Sequence, residues 1–392
     1  MMNSGAALAQ VAARPDRLAV RQLSLTGYRN YAGLRARFDG RPVVLTGANG
    51  AGKTNLLEAV SLLSPGRGLR GARLEEIPPH DNPAAGWAVA GQIETPDGPV
   101  DLGTGIGPGD ERRQVRIDGR PARGQSALAP HCAAVWLTPQ MDRLFLDGAE
   151  ERRRFLDRLV FGTDPAHAGR VTAYQNTRRQ RQRLLAEGGD AAWLDALERT
   201  LAQRAVAIGA ARLDLARRLD GAASAHSEGP FPVPRIAVTG DVEERLAGSP
   251  ALEVEDWLAG QWQENRRADA ASGQTSLGVH RSDMAVWYAG RGAPAAQCST
   301  GEQKALLIGL TLAAASLTAA ERGAQPLMLL DEVVAHLDQD RRAALFGLLL
   351  ASGAQVWLTG TDPALFTPLG DAAQHFSVAS GHLTPSHGST DA

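Results

Sequence analysis

Through the first third of the chain the apolar residues fall into short runs separated by Gly, Pro and Asp. Residues 18–25, 33–38, 42–46, 87–94, 114–117 and 133–137 have strand length and end at turn residues. Near Glu150 the pattern changes to Arg-rich segments of helical period. Leu194, Leu201, Ile208 and Leu215 recur every seven residues. Between them Leu197 and Ala211 suit a coiled-coil seam and Arg204 and Arg218 do not, so a bundle helix is expected ahead of a coiled coil. Pro230, Pro232 and Pro234 break this stretch, and a further helix is predicted from Val254 to about Ala271. From Ser276 strands and helices alternate again, with strands at 284–288, 327–330 and 356–359 and helices from about Gly301 and near Arg341. The pattern predicts an α/β fold, one head domain interrupted by a mostly helical insertion. The expected divisions are a flexible lead (1–18), the first part of the head (19–149), the insertion (150–274), the second part of the head (275–384) and a polar tail (385–392).

The first chemistry lies at the end of the third run. Gly47, Ala48, Asn49, Gly50, Ala51, Gly52, Lys53 and Thr54 read G-x-x-x-x-G-K-[ST], after an apolar strand and before an amphipathic helix. The glycines let backbone N–H groups turn inward around phosphates, and the helix N-terminus adds positive potential. Lys53 would reach the β- and γ-phosphates of ATP, and Thr54 would ligate Mg²⁺. A second element is expected with it. The apolar run 327–330 ends in Asp331 and Glu332, at the carboxyl end of a strand, where α/β sheets bind ligands. Asp331 would hold the metal and Glu332 would polarise the attacking water.

Ser299, Thr300 and Gly301 open a long apolar helix about 30 residues before that acidic pair. A Ser-x-Gly helix start is an anion site, and Ser299 with Glu302 also forms a capping box; one set of donors serves both. With Ala335-His336-Leu337-Asp338 behind the acidic pair, these residues resemble the signature and D-loop of ABC-type P-loop ATPases. In that family the signature closes over the γ-phosphate held by a second subunit.

Composition narrows the picture. The 41 basic and 43 acidic side chains leave a net charge of −2, which excludes a globally polycationic nucleic-acid binder. Residues 152–218 nevertheless hold 14 Arg and 7 acids, and residues 219–272 hold 4 Arg and 10 acids. Arg178, Arg179, Arg181 and Arg183 fall in an acid-free stretch at helical spacing, a stripe able to track phosphates without reading bases. Cys132 and Cys298 form neither a disulfide framework nor a metal cluster. No run approaches the ~18–20 apolar residues of a membrane span, and the start of the chain lacks a signal-peptide pattern, so a cytoplasmic, membrane-free protein is expected. The basic side chains are 39 Arg and only two Lys, at 53 and 304. The scarcity of Lys suggests a nucleotide-facing or dimer-facing role for Lys304 as well.

The 278 residues from Lys53 to Asp331 are too many for a compact transporter ATPase and too few for a long-armed chromosome-structuring protein. Here the chain resembles the RecF family of bacterial recombination-mediator ATPases. The resemblance rests on Leu25-Thr26-Gly27-Tyr28-Arg29-Asn30-Tyr31, the phosphate loop, and Thr138-Pro139-Gln140 followed by residues 151–157 (ERRRFLD). It continues through residues 277–283 (LGVHRSD) and 299–304. It implies ATP and Mg²⁺ as cofactors, with Arg29, Asn30, Gln140 and Asp338 at the nucleotide, and an ATP-dependent homodimer. It also implies binding to gapped or single-strand/double-strand junction DNA, partnership with RecR and RecO, help in loading RecA, and slow, DNA-stimulated hydrolysis. The signature departs from the ABC pattern at Cys298 and Glu302, and residues 355–362 lack the switch His of transporters. Two alternatives remain at this point, a transporter ATPase subunit and a non-hydrolysing scaffold that holds ATP. His280 and Arg281 invite a catalytic role, but a lone His is expected to be structural.

Overall fold

A computed structural model describes residues 17–79, 86–110, 112–224 and 231–386. The expected lead and tail fall almost wholly outside these residues, as does Pro230. The described elements form three sheets, with strands interleaved along the chain, and a set of helices. The amino-terminal part contains β1 (Ala19–Tyr28), β2 (Tyr31–Arg37), β3 (Val43–Thr46), α1 (Lys53–Ser61), β4 (Trp87–Thr95), β5 (Gly98–Ile106), β6 (Gln114–Ile117), β7 (Arg120–Ala122) and β8 (Ala134–Leu137). Then come α2 (Ala149–Thr163), α3 (His167–Ala186), α4 (Ala191–Ser224), β9 (Pro234–Thr239), α5 (Asp241–Leu246), α6 (Ala251–Glu264) and α7 (Arg266–Ser272). The remainder is β10 (Asp283–Tyr288), β11 (Ala293–Pro294), α8 (Thr300–Arg322), β12 (Leu327–Leu330), α9 (Gln339–Ser352), β13 (Val356–Gly360), β14 (Gln374–Ala379) and β15 (His382–Pro385).

Strand burial explains which sheet each run joins. Along β4 burial alternates, Trp87, Val89 and Ile93 pointing inward, and the strand lies in an antiparallel sheet ordered β2-β1-β4-β5-β6-β7. In β3, β12 and β13 every residue is buried, and these form the parallel centre of a sheet ordered β15-β14-β3-β13-β12-β8. That order draws strands from both sides of the helical stretch, so the head is built from two distant parts of the chain. Gln355 stitches the two large sheets. Its Oε1 accepts from Val20 N–H at 2.7 Å, and its Nε2 donates to Val20 C=O at 3.2 Å, in a fully buried position. Leu56, Leu57 and Val60 of α1 fill the space between these sheets.

The insertion is less purely helical than its sequence predicts. β9 pairs antiparallel with β10, so residues on both sides of position 274 share a third, three-stranded sheet. The helix expected over 254–271 is two helices, broken at Asn265. In α4 the heptad residues Leu194, Leu201, Ile208 and Leu215 are all buried, the central two against α3, α5 and α6 as in a bundle. One expectation about membranes is corrected. α8 is long and apolar enough to cross a bilayer by length and composition, but 67% of its most apolar window is buried inside the fold. Its apolar character serves the core.

The two motifs at residues 151–157 and 277–283 are spatial partners. Arg152 binds Asp283 through both carboxylate oxygens at 2.7 and 2.8 Å, and Arg153 donates to Ser282 C=O at 2.6 Å. Asp157 takes two hydrogen bonds from Arg212, which also donates to Val279 C=O. His280 Nε2 donates to Thr275 C=O at 2.9 Å, and its Nδ1 accepts from Tyr174 OH at 2.8 Å. Burial pushes its pKa down to about 4, so the ring is neutral and structural.

Arg181 is the clearest departure from the sequence reading. The expected DNA contact is fully buried, bonded to Glu198 at 2.8 Å, Asp269 at 2.7 Å and Trp262 C=O at 2.9 Å. Its position on α3 faces α4 and α7, and a guanidinium there satisfies two buried carboxylates. Arg181→Ala is expected to destabilise the chain by about 3–5 kcal/mol, because those carboxylates lose a buried partner. Denaturant midpoints measure this; a midpoint unchanged from the parent contradicts it.

Candidate active site

The phosphate loop joins β3 to α1. Gly52 has φ 115°, and a Cβ there would stand 2.6 Å from Asn30 Nδ2 and 2.7 Å from Tyr31 OH, so only glycine fits. Lys53 is almost fully buried, and its Nζ donates to Gly47 and Ala48 carbonyls at 2.8 and 2.9 Å, drawing the loop into a ring. The first backbone N–H groups of α1 have no partner within the helix and add to the donors of the loop. Loop and flank are tied together. Asn30 Nδ2 donates to Ala51 C=O at 3.0 Å, Asn55 Nδ2 donates to Asn30 Oδ1, and Tyr31 OH donates to Gly52 C=O. Arg29 is placed differently. Its guanidinium forms a two-point pair with buried Glu58 at 2.8 and 2.7 Å, shared with Arg70, so it braces α1.

The acidic pair meets the loop. Thr54 Oγ1 lies 2.9 Å from both carboxylate oxygens of Asp331, across the intervening strand β13. Thr359, on that strand, donates to Asp331 Oδ1 at 2.7 Å and accepts from Glu332 N–H at 2.9 Å. Glu332 itself adopts φ 52°, ψ 23°, a left-handed conformation costing a non-glycine residue about 1–2 kcal/mol. A buried Thr359 that pins both the carboxylate and this strained backbone is a site residue the sequence reading missed. Its only signal was a hydroxyl at the end of an apolar strand.

The hydroxyl of Thr54 and the carboxylate of Asp331 are oxygen donors suited to Mg²⁺, which keeps water and substrate phosphates for its other positions. Among the described residues no group of three or more His, Cys, Asp or Glu forms a protein-only metal cage. The donor set fits a Mg²⁺–nucleotide better than a resident transition metal.

The remaining predicted residues lie at two other places. Gln140 is exposed on the 139–143 turn after β8, beside β12 in the sheet. Ser299 caps α8, with its Oγ accepting from Glu302 N–H and Glu302 bonding back to Ser299 N–H at 2.9 Å; Ser299, Thr300 and Gly301 are exposed. The capping bonds from Ser299 hold the Glu302 carboxyl below its usual pKa. Asp338 caps α9 through Arg341 N–H at 2.8 Å, and Arg341 Nη1 lies 3.6 Å from where a Cβ of Gly301 would stand. The capped start of α8 and the start of α9 thus form one surface. Among the described residues no hydrogen bond or ion pair joins 299–301 to 47–54. Lys304 faces inward, nearly buried, with Nζ 3.3 Å from Asp142 Oδ2. It ties α8 to the Gln140 turn and does not reach the surface.

A second polar cleft, of about 320 Å³, is lined by Arg178, Arg179 and Arg281 with His280 and Gln182. Arg178 and Arg281 have no carboxylate partner among the described residues, and Arg183 is also exposed.

A parallel-centred sheet with a phosphate loop, an Asp-Glu strand end and a capped signature helix defines an ABC-type ATPase head. The family described as "RecF/RecN/SMC N terminal domain" matches residues 19–372. The DNA replication and repair protein RecF of Rhizobium rhizogenes is 46% identical over 378 residues, covering 95% of this chain and all of that protein. RecF of Brucella suis is 46% identical over 376 residues, covering 95% and 97%. The chain belongs to the RecF family. Among solved structures, the recombination mediator protein RecF of the RecFOR pathway, in a form designated RecF-ATPrS, aligns with TM-score 0.84 at 21% identity over 95% of this chain and 99% of that one. The Smc head domain of Pyrococcus furiosus bound to the C-terminal domain of ScpA aligns with TM-score 0.50 at 15% identity over 94% and 96%. At these identities the likeness is one of fold.

Proposed function

We propose that the chain is an ATP-controlled DNA-binding protein of replication and recombinational repair, working in the cytoplasm as a dimer formed on ATP. The observation that carries this reading is the exposed, capped start of α8, whose donors meet nothing of their own phosphate site. Two copies placed head to head would set Ser299, Thr300 and Gly301 of one against the nucleotide held by residues 47–54 of the other. Within each site Lys53 and the loop N–H groups bind the β- and γ-phosphates, and Thr54 and Asp331 would hold Mg²⁺. The metal supplies charge neutralisation on the phosphate oxygens when bound. Glu332 takes the proton of the attacking water, with Thr359 fixing its backbone, while Gln140 and Asp338 line the approach. Slow hydrolysis then opens the dimer. The absence of a switch His in residues 355–362 favours a timed switch over a motor.

The insertion 150–274 is read as the arm, and the head as 19–149 with 275–384. DNA contact falls on Arg178, Arg179 and Arg183, with Arg281 in place of buried Arg181. Such a surface reads phosphates, in keeping with gapped or junction DNA of any sequence and with delivery of RecA together with RecO and RecR. Replacing Arg178, Arg179 and Arg281 with Ala is expected to lower the salt slope of DNA binding by about 2–3, since each lost phosphate contact removes about 0.9. Affinity is expected to fall alike for every sequence tested. Affinities for duplex, single-stranded and gapped DNA, with and without ATP and at several salt concentrations, test the whole reading. Equal DNA affinity in every nucleotide state, or one sedimenting mass with and without Mg-ATP, would overturn it.

A further inference from the structure

A cavity of about 470 Å³ opens between the head and the insertion, away from the nucleotide site. It borders Thr318 and Arg322 at the far end of α8, about 27 and 33 Å along that helix from Thr300 at 1.5 Å per residue. Its volume and largely apolar walls suit a small organic molecule. The polar groups in those walls are unusual. Arg158 projects from α2 with its guanidinium over the rings of Trp136 and Phe155, at 4.9 and 4.8 Å from their centroids. Among the described residues its hydrogen bonds go only to Met141 Sδ, at 3.6 and 3.5 Å, and a thioether is a weak acceptor. Burial with no carboxylate beside it pushes its pKa down to about 9. Arg322 spends two nitrogens on the Ala129 and Pro130 carbonyls, and its buried Nε has no partner among the described residues. His167 Nδ1 and Trp136 Nε1 are likewise buried without a partner among those residues. The lining carboxylate, Asp157, is already engaged by Arg212 and His167.

We propose that this cleft binds a small organic anion with an aromatic body, the rings packing on Phe161 and Trp136 and the anionic group meeting Arg158 and Arg322. A half-enclosed guanidinium without a counter-ion is costly, and an incoming anion removes that cost. Arg158 also touches Met141, in the turn that carries Gln140 and Asp142, so occupancy is felt beside the ATP site. The assignment does not depend on the DNA or dimer reading.

Titration of the full chain with the fluorescent probe anilinonaphthalene sulfonate tests the site, with neutral phenylnaphthylamine as the same ring system without its charge. One sulfonate site per chain is expected. Arg158→Met should weaken it about tenfold and leave the neutral probe unaffected, the loss expected for one hydrogen bond to a charged group. Ala168→Trp, which fills the cavity, should abolish binding of both. Sulfonate affinity unchanged in Arg158→Met, or an equal fall for both probes, overturns the anion assignment. If Arg158→Met does not fold, as judged by its thermal transition, Ala168→Trp decides. Retention of the site in that variant places it elsewhere and overturns the proposal.

Discussion

Glu332→Gln is expected to lower the rate of phosphate release about 10²–10⁴-fold while leaving ATP binding intact. The substitution is nearly isosteric, and the interactions that set the local backbone, the Asp331–Thr54 contact and the Thr359 bond to the residue's own N–H, do not involve its carboxylate. What disappears is a group able to take a proton. Because binding persists and turnover stops, the nucleotide-bound dimer should accumulate, visible as increased mass in light scattering with Mg-ATP. Phosphate release at the parent rate would remove Glu332 from the role of base and favour a scaffold that merely holds ATP.

Lys53→Met is expected to act one step earlier, weakening ATP binding by about 100-fold or more, as the loss of charge-assisted bonds to phosphate requires. ATP-dependent dimerisation and any ATP-dependent gain in DNA affinity should vanish with it. Lys53→Arg is the sharper control. Lys53 sits nearly buried, bonded to two carbonyls of its own loop, a space shaped for a compact ammonium; a planar guanidinium is too wide to share it. In a chain that uses 39 Arg and two Lys, an Arg at this position that bound ATP normally would contradict the geometry. Calorimetric titration with ATP measures all three proteins.

Much of the head was legible because its determinants are local. A buried strand, a glycine loop and an amphipathic helix announce themselves within twenty residues, and an apolar strand ending in Asp-Glu does so within six. The signature helix start was legible for the same reason, since Ser299 and Glu302 form a cap at fixed spacing. What was hidden depends on partners distant in sequence. Arg181 looks like its exposed neighbours until α4 and α7 bring Glu198 and Asp269 to it. Thr359 acquires its role only through strand order, which sets β13 between β3 and β12. Lys304 was marked by its rarity, but its direction was set by Asp142, 162 residues away. β9 escaped because a proline-flanked run of six residues gains its strand character from pairing with β10. Arg29 carried the family pattern, yet Glu58 and Arg70 determine that it braces a helix.

The pairing of residues 151–157 with 277–283 has a consequence for how this chain can change. The Arg152–Asp283 and Arg153–Ser282 bonds fasten the start of the proposed arm to the segment just past its proposed end. The gap between those points is fixed from the head side, whatever lies beyond. Residues can therefore be added to or removed from the far end of the loop of helices without asking the ATPase sheets to rearrange, as with insertions at sites whose two ends are close in space. On the division proposed above, the arm is a module whose length can change on a fixed footing.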